Sequence, residues 1–296
     1  MRYITNDEIE KHLSYKKAVD WVRESFSLKK KSILPHKISI PFEKLNFMNT
    51  MPCMVPPLNV FGTKIVTRYS GRYPSVDGEL MLYRYDNGEM LCIMDAYHIT
   101  TYRTGAVAAL AVETFSKSDF QSVGVMGLGS TGLSTIKCLA SIYGNRQLTI
   151  NLLKYKDHIQ RIESWLKENT IWKINISATA LDMVRASDVV ISCITYAEDQ
   201  IAPIEAYREG CLVVPVHTRG FQNCDLSFEK VFADDKSHVC GFKYFNSFRS
   251  FGEMPDVLDG SIKGRENDKE RILSYNIGIA VHDMVYAHHL YQQITN

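Results

Sequence analysis

A glycine-rich turn between a strand and a helix constrains the fold of this 296-residue chain more than any other feature. The turn fits the pattern G-x-G-x-x-G, follows the apolar run 123–126 and opens a helical pattern over about 130–143. Its first glycine permits a tight turn, its second lets a pyrophosphate approach the backbone, and the helix N-terminus offers N–H groups to an anion. The context predicts that the turn binds a dinucleotide, although an ordinary glycine-rich turn is the alternative. The predicted cofactor-binding residues are Gly127, Leu128, Gly129, Ser130, Thr131 and Gly132.

Strand-like and helical patterns alternate after residue 122, which is typical of a doubly wound parallel sheet. Apolar runs predict strands at 123–126, 148–153, 174–177, 189–194, 212–216 and 231–232, and helical periodicity predicts helices over about 130–143, 157–168 and 268–293. Before the turn, the first thirty residues and residues 98–115 have helical patterns, whereas 35–94 contain short strand-like runs. Asp86-Asn87-Gly88 between two of these runs predicts a hairpin with a type I′ turn. The fold class is therefore α/β, a Rossmann-type sheet preceded by an α+β region.

Charge and composition exclude several classes of protein. Lys and Arg total 34 against 33 Asp and Glu, so a net charge of +1 gives no general attraction to nucleic acid or anionic membranes. No apolar run approaches the roughly 18 residues of a membrane span, and the start lacks the apolar core of a signal peptide. The seven cysteines are scattered singly, without metal-ligand or redox spacing. We expect a cytoplasmic protein with no metal site, no nucleic-acid partner and no membrane partner.

The end of the second strand of the predicted sheet carries cations where an NAD site usually carries an acid. An Asp or Glu there binds the ribose 2′-hydroxyl, but 148–153 is followed by Lys154, Tyr155 and Lys156, and Asp157 comes too late. A cation suits a 2′-phosphate. The sequence therefore predicts NADP(H), bound by Lys154 with help from Lys156. NAD(H) is the alternative, if these are two solvated lysines at a strand end.

Two cations before the glycine-rich turn lie among apolar and small residues. Lys64 lies in the strand-like run 61–66, and Arg103 lies near the start of the Ala-rich helix predicted over 98–115. Arginine matches a carboxylate with two parallel hydrogen bonds, and a desolvated lysine can change its protonation state and serve as an acid or base. The two cations predict a substrate site in this part of the chain, with structural ion pairs as the alternative.

Six blocks in order resemble the ornithine cyclodeaminase/μ-crystallin family. The blocks are Met51-Pro52 with Gly62-Thr63-Lys64, Gly88 through Asp95, Ile99 through Ala106, Gly127-Leu128-Gly129, Asp256 through Gly260 with Gly264-Arg265, and Gly278 through Asp283. The resemblance covers nearly the whole chain. It implies a Rossmann domain over 119–277 and a substrate-binding and dimerisation domain over 1–118, completed by the C-terminal helix at 278–296. It also implies a homodimer whose substrate is a small amino acid or its keto or imino form.

The resemblance assigns roles to three cations that precede the glycine-rich turn. Lys64 matches the family's active-site lysine and Arg103 its carboxylate-binding arginine, while Lys37 is the nearest match to a further family arginine. Arg68 is not part of the matched blocks. We predict that it binds a second substrate carboxylate, with a solvated loop charge as the alternative.

The chain departs from the cyclodeaminases of the family after the fifth Rossmann strand, where those enzymes carry a catalytic Asp. Residues 215–221 hold no acid in register, and Asp225 arrives about five residues late. Because cyclodeamination needs a carboxylate to manage the proton and the attacking amine, this departure disfavours that reaction. His217 is predicted to be an acid–base residue instead, with a histidine that merely ends a strand as the alternative.

Together these features predict an NADP(H)-dependent oxidoreductase acting on a C–N bond. It would reduce a small imine, or an α-keto acid plus an amine, to an amino acid, or catalyse the reverse oxidation. The alternatives are ornithine cyclodeaminase, a lyase that releases ammonia and forms proline, and a non-catalytic NADPH-dependent ligand binder of the μ-crystallin type. The aromatic stretch 242–248 either lines the pocket or packs in the core.

Overall fold

The computed structural model describes residues 2–217 and 219–295. It divides into two compact units, the first comprising Met1–Arg103 and Gly278–Asn296 and the second Thr104–Ile277. The division falls inside one long helix, α3 (Tyr97–Phe115), whereas the resemblance implies a domain boundary at residue 118. That boundary stays a prediction.

A six-stranded sheet forms the base of the first unit, in the order β1-β6-β5-β4-β3-β2. All neighbouring strands are antiparallel except β1 and β6, which are parallel. Its strands are β1 (Arg2–Ile4), β2 (Ile38–Phe42), β3 (Asn46–Val55), β4 (Val60–Arg68), β5 (Val76–Arg84) and β6 (Met90–Asp95). The strands predicted within 35–94 are thereby confirmed.

The helices of the first unit come from both ends of the chain. A capping box at Thr5 begins α1 (Asn6–His12), and α2 (Tyr15–Leu28) follows after a new cap at Ser14. The last helix of the chain, α9 (Ala280–Thr295), packs against α2 and across β3, β4 and β5. Residues of β4 alternate between buried and partly exposed, and Lys64 lies on the buried face with Gly62 and Val66.

Strands β5 and β6 form the predicted antiparallel hairpin, but the predicted type I′ turn between them is wrong. A type I′ turn needs positive φ at both central residues, but Gly88 has φ +74° and Asn87 is not in the left-handed region. The connection is longer than a two-residue turn. Asn59 holds it by accepting the backbone N–H of Asp86 and donating to its carboxylate, both at 3.0 Å. Gly88 closes the loop by donating its N–H to the carbonyl of Arg84.

The second unit is built on an eight-stranded parallel sheet in the order β13-β12-β14-β11-β10-β7-β8-β9. Its strands are β7 (Ser122–Met126), β8 (Thr149–Leu153), β9 (Lys173–Ser177), β10 (Val189–Ser192), β11 (Leu212–Pro215), β12 (Lys230–Ala233), β13 (Phe251–Glu253) and β14 (Ile272–Tyr275). Its helices after α3 are α4 (Ser130–Tyr143), α5 (Gln160–Asn169), α6 (Ala180–Arg185), α7 (Gln222–Ser227) and α8 (Met254–Leu258). The predicted βα alternation is confirmed.

The predicted helix over 268–293 is wrong for residues 268–279, nearly its first half. Residues Ile272–Tyr275 form β14, which is fully buried between β11 and β12. A short apolar run buried on both faces cannot be told from a helix segment by its periodicity. The helix begins only at Ala280, after Gly278 turns the chain at φ +88°.

Two predicted absences can be compared with the described residues. None of their helices is both long and apolar enough to cross a membrane. Among residues 2–217 and 219–295, no three His, Cys, Asp or Glu side chains form a cluster that could hold a metal ion.

Candidate active site

A buried ion pair between Lys64 and Asp283 lies under the sheet of the first unit. Lys64 comes from the middle of β4 and Asp283 from the first turn of α9, and both side chains are completely inaccessible to solvent. The Lys64 ammonium Nζ donates to Oδ1 of Asp283 at 2.6 Å. Strand alternation turns Lys64 inward, and α9 places its carboxylate directly against that face.

The protonation of Lys64 is poised near neutrality. Burial lowers its pKa the most, and the charges of Arg103 and Lys37 lower it further, whereas Asp283 raises it, so that the pKa lies at about 7. A buried lysine with this pKa exchanges a proton readily at physiological pH, which is what an acid–base group needs.

Arg103 joins the same cluster from α3. Its guanidinium Nε lies 3.3 Å from Oδ1 of Asp283, an ion-pair distance, and the residue is 5% exposed. Its terminal nitrogens pass close to Gly278, where a Cβ would lie 1.7 Å from Nη1 of Arg103. The structure thus brings together two predicted residues, Lys64 and Arg103, on one carboxylate oxygen.

Asp283 is a site residue that the sequence prediction missed, although it ends one of the six family blocks. Its second oxygen, Oδ2, is buried and accepts no hydrogen bond from the residues the structure describes. The available signal was an acid within the apolar stretch Ala280–Val285 of a helix that buries nearly all of these residues. A carboxylate in such a position is rarely buried unless it has a partner.

The other two predicted substrate-binding cations differ in position. Lys37 is partly buried just before β2, and its charge contributes to the lowered pKa of Lys64. Arg68 ends β4, four residues after Lys64 and so about 13 Å further along the strand. Nη1 of Arg68 donates to the carbonyl of Leu45 at 2.5 Å, so the structure does not bring Arg68 to the Lys64 cluster.

The glycine-rich turn of the second unit has the form that a pyrophosphate requires. Gly127 has φ +85°, and a Cβ there would lie 2.5 Å from the backbone carbon of Cys193. At Gly132 a Cβ would lie 2.0 Å from the carbonyl oxygen of Gly127, whereas Gly129 faces open space. Because α4 begins at Ser130, directly after Gly129, the N-terminal end of the helix lies beside that space. The turn therefore fits a dinucleotide.

Two exposed lysines follow β8, the strand next to the one that feeds this turn. Lys154 donates its backbone N–H to the carbonyl of Ser177 at 2.9 Å, and the residue is exposed. Lys156 adopts φ +48° and holds its ammonium 5.2 Å from the centre of the Tyr155 ring. No acid follows β8 before Asp157 in this described segment.

His217 follows β11 and is a neutral imidazole. Its Nε2 and the hydroxyl of Ser192 are 2.6 Å apart, and its Nδ1 accepts the backbone N–H of Arg219 at 3.4 Å. Since Nδ1 accepts, Nε2 carries the hydrogen and donates it to Ser192. Burial lowers the pKa of His217 to about 4, so this side chain is a hydrogen-bonding group at neutral pH and not an acid.

Asp225 does not replace the carboxylate that cyclodeaminases carry after the fifth strand. It lies in α7, is 2% exposed and accepts the Tyr275 hydroxyl at 2.7 Å. Burial raises its pKa to about 6.

The aromatic stretch 242–248 packs in the second unit: Phe242 lies against Tyr275, and Phe245 lies against Phe248 and Phe251. The packing alternative for 242–248 is thereby supported.

A comparison with protein families decides the assignment of the whole chain. The model of the ornithine cyclodeaminase/mu-crystallin family matches residues 2–296. The chain belongs to this family. The resemblance carried by the six blocks is confirmed, and the α/β fold class with it.

Proteins similar to this chain include some whose names state a reaction and one whose name does not. Nodulation efficiency protein NfeD of Rhizobium meliloti is 29% identical over 261 residues, which cover 84% of this chain and 81% of that protein. Delta(1)-pyrroline-2-carboxylate reductase of Colwellia psychrerythraea is 22% identical over 321 residues, covering 100% of both. The solved structure of Thermococcus litoralis Delta(1)-pyrroline-2-carboxylate reductase with NADH and L-proline has a TM-score of 0.87 and 20% identity, covering 100% of this chain and 98% of that one. This likeness shows a shared fold.

Proposed function

We propose that this protein is an NAD(P)-dependent oxidoreductase that acts on the C–N bond of a small amino acid or its keto or imino form. The observation that carries the proposal is the buried cluster of Lys64, Arg103 and Asp283, which joins a proton-exchanging ammonium to a carboxylate-binding guanidinium. The dinucleotide turn of the second unit supplies the other half of the requirement. Reductases and dehydrogenases of amino and imino acids among the relatives support the same reaction class.

In the proposed reaction, Arg103 would bind the substrate and Lys64 would transfer the proton. Arg103 binds the substrate carboxylate, because its planar guanidinium matches the geometry of a carboxylate. Lys64 holds or releases the proton at the reacting nitrogen, since its pKa of about 7 lets both forms exist. The bound nicotinamide would give or take the hydride. Burial excludes water from the cluster, which strengthens each electrostatic contact within it.

The cofactor is proposed to be NADP(H). Support comes from the exposed Lys154 and Lys156 after β8 and from the lack of an acid between that strand and Asp157. The similar Thermococcus litoralis structure was solved with NADH, so the preference for NADP(H) is proposed for this chain on the basis of its two lysines. Comparing NADH and NADPH in one assay tests this preference.

The cyclodeaminase alternative has less support than the oxidoreductase. It requires a carboxylate after β11, but the described residues there offer His217 and Arg219, and Asp225 is engaged by Tyr275. A non-catalytic ligand binder is also less supported, because a protein that only binds ligand has no need for a buried lysine whose pKa is near 7.

The protein is further proposed to be a homodimer that resides in the cytoplasm. Strand β2 is exposed along its whole length, and Ile38, Ile40 and Phe42 are 58%, 50% and 41% exposed. These side chains point away from the Lys64 face, as their register with β3 and β4 requires. Apolar patches of this kind mark protein interfaces. The seven cysteines are free thiols, which suits a reducing compartment.

A thermal-shift measurement tests cofactor and substrate class together. Purified protein is heated with NAD(H) or NADP(H), alone and with a panel of amino acids and keto acids. A ligand that binds only the folded protein raises its melting temperature. Stabilisation by NADPH that a keto acid or imine increases supports the proposal, and stabilisation by NAD with ornithine would replace it with the cyclodeaminase.

A further inference from the structure

We propose that Asp283 is the positioning residue of this site: it holds the Lys64 ammonium in its charged form and fixes the distance between Lys64 and Arg103. The proposal rests on the proposed function for its catalytic meaning, but its physical content is a property of the protein alone. One oxygen, Oδ1, lies 2.6 Å from Nζ of Lys64 and 3.3 Å from Nε of Arg103.

The geometry makes Asp283 a shared anchor. Since both nitrogens contact the same oxygen, they cannot be further apart than these two distances together. A substrate whose carboxylate binds Arg103 therefore has its neighbouring C–N group within reach of Lys64. Gly278 maintains the arrangement from the other side, because its missing side chain leaves room for the Arg103 guanidinium.

The charges that face Lys64 come from three parts of the chain. Asp283 of α9 is the negative charge, and Arg103 of α3 and Lys37 before β2 are positive. Cys53 of β3 lies near Asp283, but burial raises the pKa of its thiol to about 12, so it remains neutral. His282, next to Asp283, turns to α2 and contacts the Ser25 hydroxyl through Nδ1. Asp283 is thus the group that opposes the loss of the Lys64 proton.

This balance predicts the consequence of removing the charge. Burial and the neighbouring cations lower the pKa of Lys64, and Asp283 alone raises it among these groups. Without the carboxylate, the ammonium would lose its proton at a lower pH, and Lys64 would be neutral at pH 7. A substrate carboxylate would supply a second negative charge to the cluster, so its binding favours the charged form of Lys64.

The test is a direct titration of Lys64 in the wild type and in Asp283→Asn. The variant keeps the size of the side chain and removes its charge. The Cε signal of ¹³C-labelled lysine is followed by NMR against pH and assigned by its absence from Lys64→Met. We expect the Lys64 midpoint to fall by about one pH unit or more, equivalent to a tenfold change in the protonation equilibrium. An unchanged midpoint would overturn the proposal, whether or not the protein proves to be an oxidoreductase.

A kinetic measurement separates positioning from general structure. In Asp283→Asn, the pH at which reductive kcat/KM begins to fall should move down with the NMR midpoint, and activity lost at pH 7.5 should partly return at pH 6. Asp20→Asn, an exposed acid on α2, should leave both curves in place. If Asp283→Asn lowers activity equally at every pH while NADPH binding is intact, the carboxylate acts only structurally and the proposal is wrong.

Discussion

A Cβ on residue 278 would lie 1.7 Å from Nη1 of Arg103, closer than any non-bonded contact allows. Gly278 also has φ +88°, a conformation that other residues rarely adopt. Gly278, two residues before α9, therefore controls the position of a side chain on α3. This relationship makes Gly278 part of the site without giving it any chemistry of its own.

Gly278→Ala should impair substrate binding through Arg103. The displaced guanidinium is expected to lower kcat/KM for the keto or imino acid by about 100-fold, since misplacement by an ångström costs this much. NADPH affinity should not change. Gly88→Ala is the matched control, because Gly88 has φ +74° with open space around its Cβ. That control should lose roughly 1–2 kcal/mol of stability and no activity. Equal kinetics in the two variants would contradict the predicted contact.

Arg103→Ala should raise the KM for the carboxylate substrate by about 10- to 100-fold, because it removes a charge-assisted hydrogen bond. Arg103→Lys should fall between wild type and Ala, since lysine keeps the charge but loses the planar fork. Steady-state kinetics with saturating NADPH measure the effect. Arg84→Ala serves as the control, because Arg84 forms an exposed pair with Glu89 in the same unit. An unchanged KM in Arg103→Ala would exclude carboxylate binding by this residue.

Lys64→Met should reduce turnover by about 10²–10⁴-fold, the usual loss when an acid–base group is removed. Methionine fills the buried space without a charge, and cofactor binding in the second unit should remain. Lys16→Met, on the exposed face of α2, tests for effects of the substitution itself. A Lys64→Met protein that turns over at the wild-type rate would mean that Lys64 is structural.

The pH dependence of reduction should report Lys64 and not His217. Because the folded pKa of Lys64 is about 7 and the charged form donates the proton, kcat/KM should fall by about tenfold per pH unit above neutrality. In the oxidation direction the neutral form is required, so the same limb should rise. The pKa of His217 is about 4, and His217→Gln should leave the limb near pH 7 in place. Its disappearance in that variant would assign the titration to His217.

Lys154→Ala should shift the cofactor preference toward NADH. The loss of one cation near the 2′-phosphate is expected to raise the KM for NADPH by about tenfold, with little effect on NADH. Lys173→Ala is the control, because Lys173 begins β9 at the opposite end of the same strand pair. A ratio of the two specificity constants that does not move would show that Lys154 is a solvated lysine.

The sequence predicts most of the fold because its strongest signals are local. The glycine-rich turn and the strand-like runs of 35–94 each depend on a few neighbouring residues. The errors arise where distant contacts decide. Ile272–Tyr275 is a strand because β11 and β12 lie on either side of it, and the loop at Asp86 is held open by Asn59, 27 residues earlier in the chain.

In the candidate site, too, the sequence reveals local features but not distant contacts. Lys64 and Arg103 stand out because a cation among apolar residues is unusual, and the family blocks include both. Their common partner, Asp283, lies 219 residues after Lys64, so no local pattern connects them. The neutral state of His217 likewise depends on its burial and on Ser192, which belongs to a different strand.

The stoichiometry of cofactor use tests the central claim most directly. The protein is supplied with NADPH and a small keto acid plus amine, or with the corresponding cyclic imine, while absorbance at 340 nm and the amino-acid product are both quantified. An oxidoreductase acting on a C–N bond should oxidise one NADPH for each amino acid formed. Ornithine consumed with release of ammonia and formation of proline, without net change at 340 nm, would contradict the account.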